Sequence, residues 1–375
     1  MPNTMKAGQW DAVVINDIPI PELGKDQFIV KIKSASLCHS DLMSLARGHG
    51  DTVTMGHEGA GVIEKIHPSA EGKGFKVGDA IGFNYFINVC YECDGCQIHN
   101  SRCENTNLPM CQGFHTDGFF QEYVLVDYHT AVVLPPEIDV RRASPLFCAG
   151  ITGVPGPNRD WPLFLGHCGR LMGYQNLLVM SRADSVIAFN AIDSCELQPG
   201  QWIAIVGCGG LGQYAVQYAK AMQYNVIGVD ISDDSLNSAR EYGADTVFNS
   251  KTQADTYVDE IRKLSGKGVH AAAVFSGANA AFDGAIPLLR TNGLLMVVGI
   301  APQPLQINAL DIITGRYRIK ADSTGVPRRM SKAVAFTAKH NIKLNVDFRK
   351  IEDLPAMVDD MKNGNATRRQ VVTFD

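Results

Sequence analysis

Four of the ten cysteines of this 375-residue chain fall together, in the pattern Cys90-x2-Cys93-x2-Cys96-x6-Cys103. Thiols so spaced on one loop can close a tetrahedron of soft ligands around a single ion, and four protein sulfurs leave no position open for a substrate. The pattern predicts a structural zinc that stabilises a loop with little core of its own. A second set of residues is spread over three short pieces: Cys38-His39-Ser40-Asp41, Gly56-His57-Glu58-Gly59-Ala60-Gly61 and Leu146-Phe147-Cys148-Ala149-Gly150. Two thiolates and one imidazole drawn from them, Cys38, Cys148 and His57, would hold zinc with its fourth position free, as catalytic zinc requires. Spacing alone does not assemble these pieces. Taken singly, each residue reads as a small buried hydrophobe or a satisfied core histidine.

A third constellation is local. Gly207-Cys208-Gly209-Gly210-Leu211-Gly212 follows the apolar run Trp202–Val206 and opens a helical stretch that begins near Gln213. In that context the glycines allow a tight turn and let the backbone approach a pyrophosphate at the positive end of a helix. Asp230, eighteen residues beyond Gly212, ends the next apolar run. A carboxylate there would accept hydrogen bonds from ribose hydroxyls and repel a 2′-phosphate, which favours NAD over NADP.

Two kinds of element must carry these residues. Residues 1 to about 150 are rich in Val and Ile with Gly and Pro punctuation, the pattern of short strands joined by turns. From about residue 200, apolar strands alternate with helical stretches (WIAIVG, GQYAVQYAKAMQ, NVIGVD, SLNSAREYGA, AAVFSG, LLMVVGI), a βαβ series that implies a parallel sheet covered by helices. AVAFTAKH and LPAMVDDMKNG read as helices of a closing α/β segment. The length predicts two domains, and 45% hydrophobic against 19% charged residues is the balance of a folded globular chain. No run reaches the roughly 20 apolar residues of a membrane span, and MPNTMKAGQW lacks the order of a signal peptide, so the expectation is a cytoplasmic protein with reduced thiols. A net charge of −5 without a basic stripe argues against nucleic acid as a partner. Cys168, Cys195 and Cys208 read as ordinary small buried residues.

With CHSD, GHEGAG, the clustered cysteines, DGFFQEY, LFCAGIT, LQPGQWIAIVGCGGLG and VHAAAVFSG in this order, the chain resembles the zinc-containing medium-chain alcohol dehydrogenases, nearest their yeast-like tetrameric branch. The resemblance covers nearly the whole chain outside the segment after Thr152. It implies an α/β fold with a β-rich GroES-like catalytic domain (residues 1–190, with a return over 326–375) and a Rossmann cofactor domain (191–325). It implies two zincs per chain, one held by Cys38, His57 and Cys148 and one by Cys90, Cys93, Cys96 and Cys103. Glu58 would lie behind the catalytic zinc as a transient ligand, and Asp41 would orient His57. His39 would contact the pyrophosphate, Thr152 the nicotinamide, and Ser40 would take the proton. The activity implied is hydride transfer between NAD and a small alcohol bound to zinc as an alkoxide, giving aldehyde or ketone, in a homotetramer or dimer. A reductase of bulkier allylic or aromatic aldehydes or polyols, and a nucleotide-binding homologue without turnover, are the alternatives.

Three departures stand out. Met43 occupies the position of the relay histidine, and a thioether carries no proton, so the relay would end in cofactor ribose and water or borrow His49. Six residues separate Cys96 from Cys103 where the family has seven, which leaves Cys111 as a substitute fourth ligand. Some 35 residues, about 154–188, intervene after Thr152 without helical or strand period, and they read as translated non-coding sequence sooner than as a lid or a passive loop.

Overall fold

The Val- and Ile-rich first part of the chain folds as strands because branched side chains pack well on a half-buried pleated surface. The computed structural model describes residues 4–9, 13–38, 40–42, 45, 53–106, 109–147, 185–301, 303–322, 326–363, 365 and 368–375. The chain divides into two compact units, Met1–Leu171 with Gly325–Asp375, and Met172–Thr324.

In the first unit, β1 (Thr4–Gln9) and β2 (Val14–Pro19) pair antiparallel as a hairpin. A seven-stranded sheet takes β3 (Gln27–Ser36), β4 (Gly59–Ile66) and β5 (Ala80–Phe83) from the N-terminal part. The short pair β6 (Phe86–Ile87) and β7 (Met110–Cys111) brackets the cysteine loop. After β7 come β8 (Tyr123–Asp127), which pairs with β3, and β9 (Ala131–Val133), which pairs with β5. Beneath the sheet lies one core that includes Phe28, Phe83, Phe119 and Phe120, joined by Leu354, Met357 and Val372 from the end of the chain.

The second unit is a six-stranded parallel sheet. Its strands are β10 (Trp202–Val206), β11 (Asn225–Asp230), β12 (Thr246–Asn249), β13 (Val269–Val274), β14 (Leu289–Val297) and β15 (Tyr317–Ala321). Their spatial order is β12-β11-β10-β13-β14-β15, so the order reverses between β10 and β13. Helices Gly210–Ala221, Asp233–Glu241, Tyr257–Leu264 and Asn279–Ala285 link consecutive strands, as the βαβ reading expects. Ser232 caps the second of these by accepting from Ser235 N–H, and Asp233 and Asp234 suit the positive end of that helix.

The chain then returns to the first unit. Helices Pro327–Lys339 and Leu354–Lys362 appear where AVAFTAKH and LPAMVDDMKNG place them, and β16 (Val346–Arg349) pairs parallel with β17 (Arg369–Thr373), which adds antiparallel to β3. The α/β class, with one β-rich unit and one Rossmann-like parallel sheet, is the one expected.

One boundary requires correction. Residues 185–188 do not belong to the atypical segment: helix Ser185–Asp193 begins there, and Ile187, Ala188, Phe189, Ala191 and Ile192 are all buried. The rest of that segment, with Cys168, lies outside the described residues. Among the described residues, no helix is long and apolar enough to cross a membrane.

Candidate active site

β3 runs into Leu37 and Cys38, and Ser40–Leu42 starts a helical turn immediately after it. This turn folds Asp41 back onto its own strand end, where its Oδ2 accepts from Cys38 N–H at 2.8 Å and its N–H donates to Cys38 O at 3.0 Å. His57 and Glu58 sit just ahead of β4, which pairs with β3, so the sheet register brings the two pieces together. Cys38, Asp41, His57 and Glu58 are completely buried.

His57 Nδ1 lies 2.8 Å from Asp41 Oδ1. With the proton on Nδ1 donated to Asp41, Nε2 keeps its lone pair for a metal, the usual way an orienting carboxylate fixes a ligand histidine. Burial works against charge on this imidazole, but the Asp41 carboxylate outweighs it and holds the metal-free His57 pKa well above the ordinary value. Cys38 Sγ, a His57 nitrogen and a Glu58 oxygen lie within 4.8 Å of one another. His57 Nε2 is 3.8 Å from Glu58 Oε1, and Cys38 Sγ is 3.8 Å from Ser40 Oγ. A buried thiol, an imidazole and a carboxylate so close together form a donor set that suits zinc. His39, Met43, His49, Cys148 and Thr152, with the roles expected of them, lie outside the described residues.

Two partners escaped the sequence. Arg369, from β17, and Ser36, from β3, both donate to Glu58 Oε2. Arg369 is 5% exposed and Glu58 fully buried, so this is a buried ion pair beside the thiol and imidazole. Tyr85 and Phe114 flank the His57 ring at centroid distances of 5.3 and 4.8 Å. An arginine late in the chain carries no local signal of such a role; only the β17–β3 pairing reveals it.

The cysteine loop gathers its four thiols, each with its sulfur within 4.8 Å of the others. Cys90 Sγ is 3.7 Å from Cys103 Sγ and 3.9 Å from Cys96 Sγ. Those separations match the edge of about 3.8 Å in a tetrahedron with Zn–S bonds of about 2.3 Å, and are far from the roughly 2.05 Å of a disulfide. N–H groups point at the sulfurs: Cys93 N–H and Asn105 Nδ2 at Cys90, Cys96 N–H and Glu104 N–H at Cys93, and Cys90 N–H at Cys103. These donors, led by Cys93 N–H, draw the Cys90 pKa down to about 6, whereas burial and the neighbouring thiols push Cys96 up to about 12. A cation at the centre would let all four ionise. Cys103 is part of this cluster and Cys111 is not; Cys111 is a fully buried thiol whose pKa burial raises. Cys195 and Cys208 are buried thiols as well.

In the second unit the glycine turn leaves β10 at the reversal of strand order, where ligands of open α/β sheets bind. Gly207 has φ 93°, a conformation that favours glycine. A methyl group on Gly212 would stand 2.0 Å from Gly207 O, so the helix can lie this close to the strand only without a side chain. Gly209 caps the helix that Gly210 and Leu211 begin, and among the described residues a methyl group on Gly210 would meet no atom within 4 Å. The open side of Gly210 is thus free for a ligand to fill. Asp230 Oδ2 accepts from Cys208 N–H at 2.6 Å and Oδ1 from Ile231 and Ser232 N–H, so the carboxylate sits beside the turn. These residues fit a dinucleotide.

Comparisons with known proteins agree with this geometry. Residues 24–136 match the alcohol dehydrogenase GroES-like domain, and residues 210–339 match the zinc-binding dehydrogenase model. An alcohol dehydrogenase of Geobacillus stearothermophilus is 30% identical over 96% of both chains. Similar folds are the acetophenone reductase of Geotrichum candidum in complex with NAD (TM-score 0.76, 22% identity, 100% of this chain and 98% of that one) and a zinc-binding dehydrogenase of Sinorhizobium meliloti bound to NADP (TM-score 0.78, 22% identity, 100% of both). A metal-ready pair of sites on a GroES-like unit, a dinucleotide turn on a Rossmann-like sheet and full-length kinship agree: the chain belongs to the zinc-binding alcohol dehydrogenase family of oxidoreductases.

Proposed function

We propose that this protein is an NAD-dependent alcohol dehydrogenase that interconverts a small alcohol and its aldehyde or ketone, with one catalytic and one structural zinc per chain. The observation that carries the reading is the fully buried Cys38–His57–Asp41–Glu58 constellation, in which His57 Nδ1 is engaged by Asp41. Cys38, His57 and Cys148 would hold the catalytic ion, and Cys90, Cys93, Cys96 and Cys103 the structural one. When bound, zinc supplies the Lewis acidity that lowers a hydroxyl pKa, and NAD supplies the hydride acceptor.

The chain's own residues do the rest. Asp41 holds the imidazole in one tautomer, and Glu58, neutralised by Arg369, places negative charge behind the ligands without a net buried charge. Ser40, half-buried beside Cys38, would accept the substrate hydroxyl proton, and His39 and Thr152 would contact the cofactor. The glycine turn binds the pyrophosphate through the helix N-terminus. Preference for NAD rests on Asp230, followed at once by Asp233 and Asp234: three carboxylates and no Lys or Arg between residues 230 and 234 would repel a 2′-phosphate. A cytoplasmic homotetramer or homodimer, with a catalytic domain of residues 1–190 and 326–375 and a cofactor domain of residues 191–325, completes the proposal.

The experiment is zinc content per chain, with reduction of NAD and NADP by primary, secondary and aromatic alcohols and by polyols. Two zincs and turnover with NAD and small alcohols are expected. Cofactor binding without turnover of any alcohol would overturn the proposal, and preference for aromatic alcohols or polyols would move it to the reductase alternative.

A further inference from the structure

Asp41 and Cys38 both engage nitrogens of the His57 ring, but hydrogen bonds at the ring nitrogens do not by themselves fix the plane of an imidazole, and a metal needs the Nε2 lone pair aimed within about 10–20°. The structure shows what surrounds that plane. Tyr85 stands edge-on to the ring at 85° and Phe114 lies across it at 45°, both largely buried, so the imidazole is boxed on two sides.

Phe114 reaches that position because of three glycines that the dehydrogenase reading leaves without a role. Gly56, directly before His57, has φ 94°, and Gly113, directly before Phe114, has φ 79°. A methyl group on Gly113 would stand 2.3 Å from Gly56 O, and one on Gly118 would stand 2.0 Å from Gly56 O and 2.6 Å from Gly113 Cα. Both neighbours are backbone, so nothing there can swing aside. The approach is locked by Gly118 N–H to Thr54 O at 2.8 Å, Phe119 N–H to Gly56 O at 2.9 Å and Phe120 N–H to Met55 O at 2.9 Å. The turn is closed by Gly113 N–H to Thr116 O at 2.8 Å.

We propose that the Gly113–Gly118 turn, seated on Gly56 through its two glycines, is a positioning clamp that presses Phe114 onto His57 and sets the imidazole plane for metal binding. This rests on the reading of His57 as a zinc ligand. Gly113, Phe114 and Gly118 act through His57; none of them touches substrate or cofactor in this role. A turn with side chains at 113 or 118 would stand off from Gly56, and Phe114 would leave the ring.

The test uses cobalt(II) added to the metal-free full chain, because a four-thiolate site and a mixed thiolate–imidazole site absorb differently. The parent protein is expected to take up two equivalents with both signatures. Phe114→Leu is expected to keep the four-thiolate band while the mixed site binds about 10–100-fold more weakly, with a shifted band, the scale on which groups that orient metal ligands act. Gly118→Ala should do the same, and Phe114→Tyr, which keeps the flat ring, should restore the parent spectrum. If Gly118→Ala does not fold, Phe114→Leu decides alone. Parent affinity and an unchanged mixed-site band in Phe114→Leu would overturn the clamp while leaving the zinc reading intact. Absence of the mixed-site signature from the parent protein would overturn both.

Discussion

Asp41 serves two groups with one carboxylate, Cys38 N–H through Oδ2 and His57 Nδ1 through Oδ1. Asp41→Asn keeps an acceptor for the first and puts a donor or a neutral oxygen against the second. We expect zinc at this site to bind about 10–100-fold more weakly in that variant, read by competition with a chelator. We also expect the His57 pKa of the metal-free protein to fall, since the carboxylate is what raises it. The dinucleotide turn offers a paired test, because two glycines there are glycine for different reasons. Gly212→Ala sets a methyl group against Gly207 O and should destabilise the protein by roughly 1–3 kcal/mol in urea unfolding. Gly210→Ala meets no atom of the described residues and should leave stability unchanged while weakening NADH binding, measured by fluorescence titration. Equal stability losses in the two would show that the open side of Gly210 is not a ligand's place. At this scale the sequence was legible wherever a grouping is local: the four cysteines that the fold gathers announce themselves by spacing, as does the glycine run. Arg369, 311 positions from Glu58, and Phe114 do not, because their partners are chosen by sheet register and by backbone approach.

Among the elements, the cysteine loop carries a pH-sensitive part that is not a ligand. His99 Nδ1 accepts from Ser101 N–H at 3.1 Å and caps the short turn Asn100–Arg102, while its ring meets Phe86 edge-on. Burial, aided by the Arg102 charge, lowers its pKa to about 4. A histidine kept neutral by the fold contributes stability that is complete above its unfolded pKa of about 6.5 and is lost as pH falls toward 4. The full loss is on the order of 3 kcal/mol. His99→Asn retains a capping acceptor and should lack this component, so the difference between parent and variant in unfolding free energy should grow from pH 6.5 down to pH 4; a constant difference would show that His99 titrates normally. The βαβ series was readable because each strand is a continuous apolar run and each helix has a polar face. Helix Ser185–Asp193 was misjudged at its start for the opposite reason: Ile187 through Ile192 are buried all round, so the polar contrast on which a helical period is read is missing.

Over the whole molecule, the buried Glu58–Arg369 pair joins the strand region before residue 66 to the last strand described. Arg369→Met would take the cation from the buried Glu58 and leave Ser36 to donate to it, and should cost about 3–5 kcal/mol in denaturant unfolding, with Glu58→Gln in the same chain recovering most of it. No recovery would mean that Arg369 acts by packing and not by charge. On the proposal that the four thiols hold a zinc, a chelator should raise amide exchange first over residues 90–103, while β10, β11 and β13 keep their protection, because that loop has little core and those strands are buried. The two-unit organisation was visible in the change from strand-and-turn to βαβ patterning, and the return of residues 326–375 to the first unit came with the family resemblance, whereas the pairing of β17 with β3 had no signal of its own beside the two closing helices. That return has a consequence for how the protein is made. During synthesis Glu58 leaves the ribosome long before Arg369, with the entire six-stranded sheet still to be translated between them. The charge that balances Glu58 is thus among the last residues to be made, and until then the first sheet holds a carboxylate without the guanidinium it meets in the folded chain.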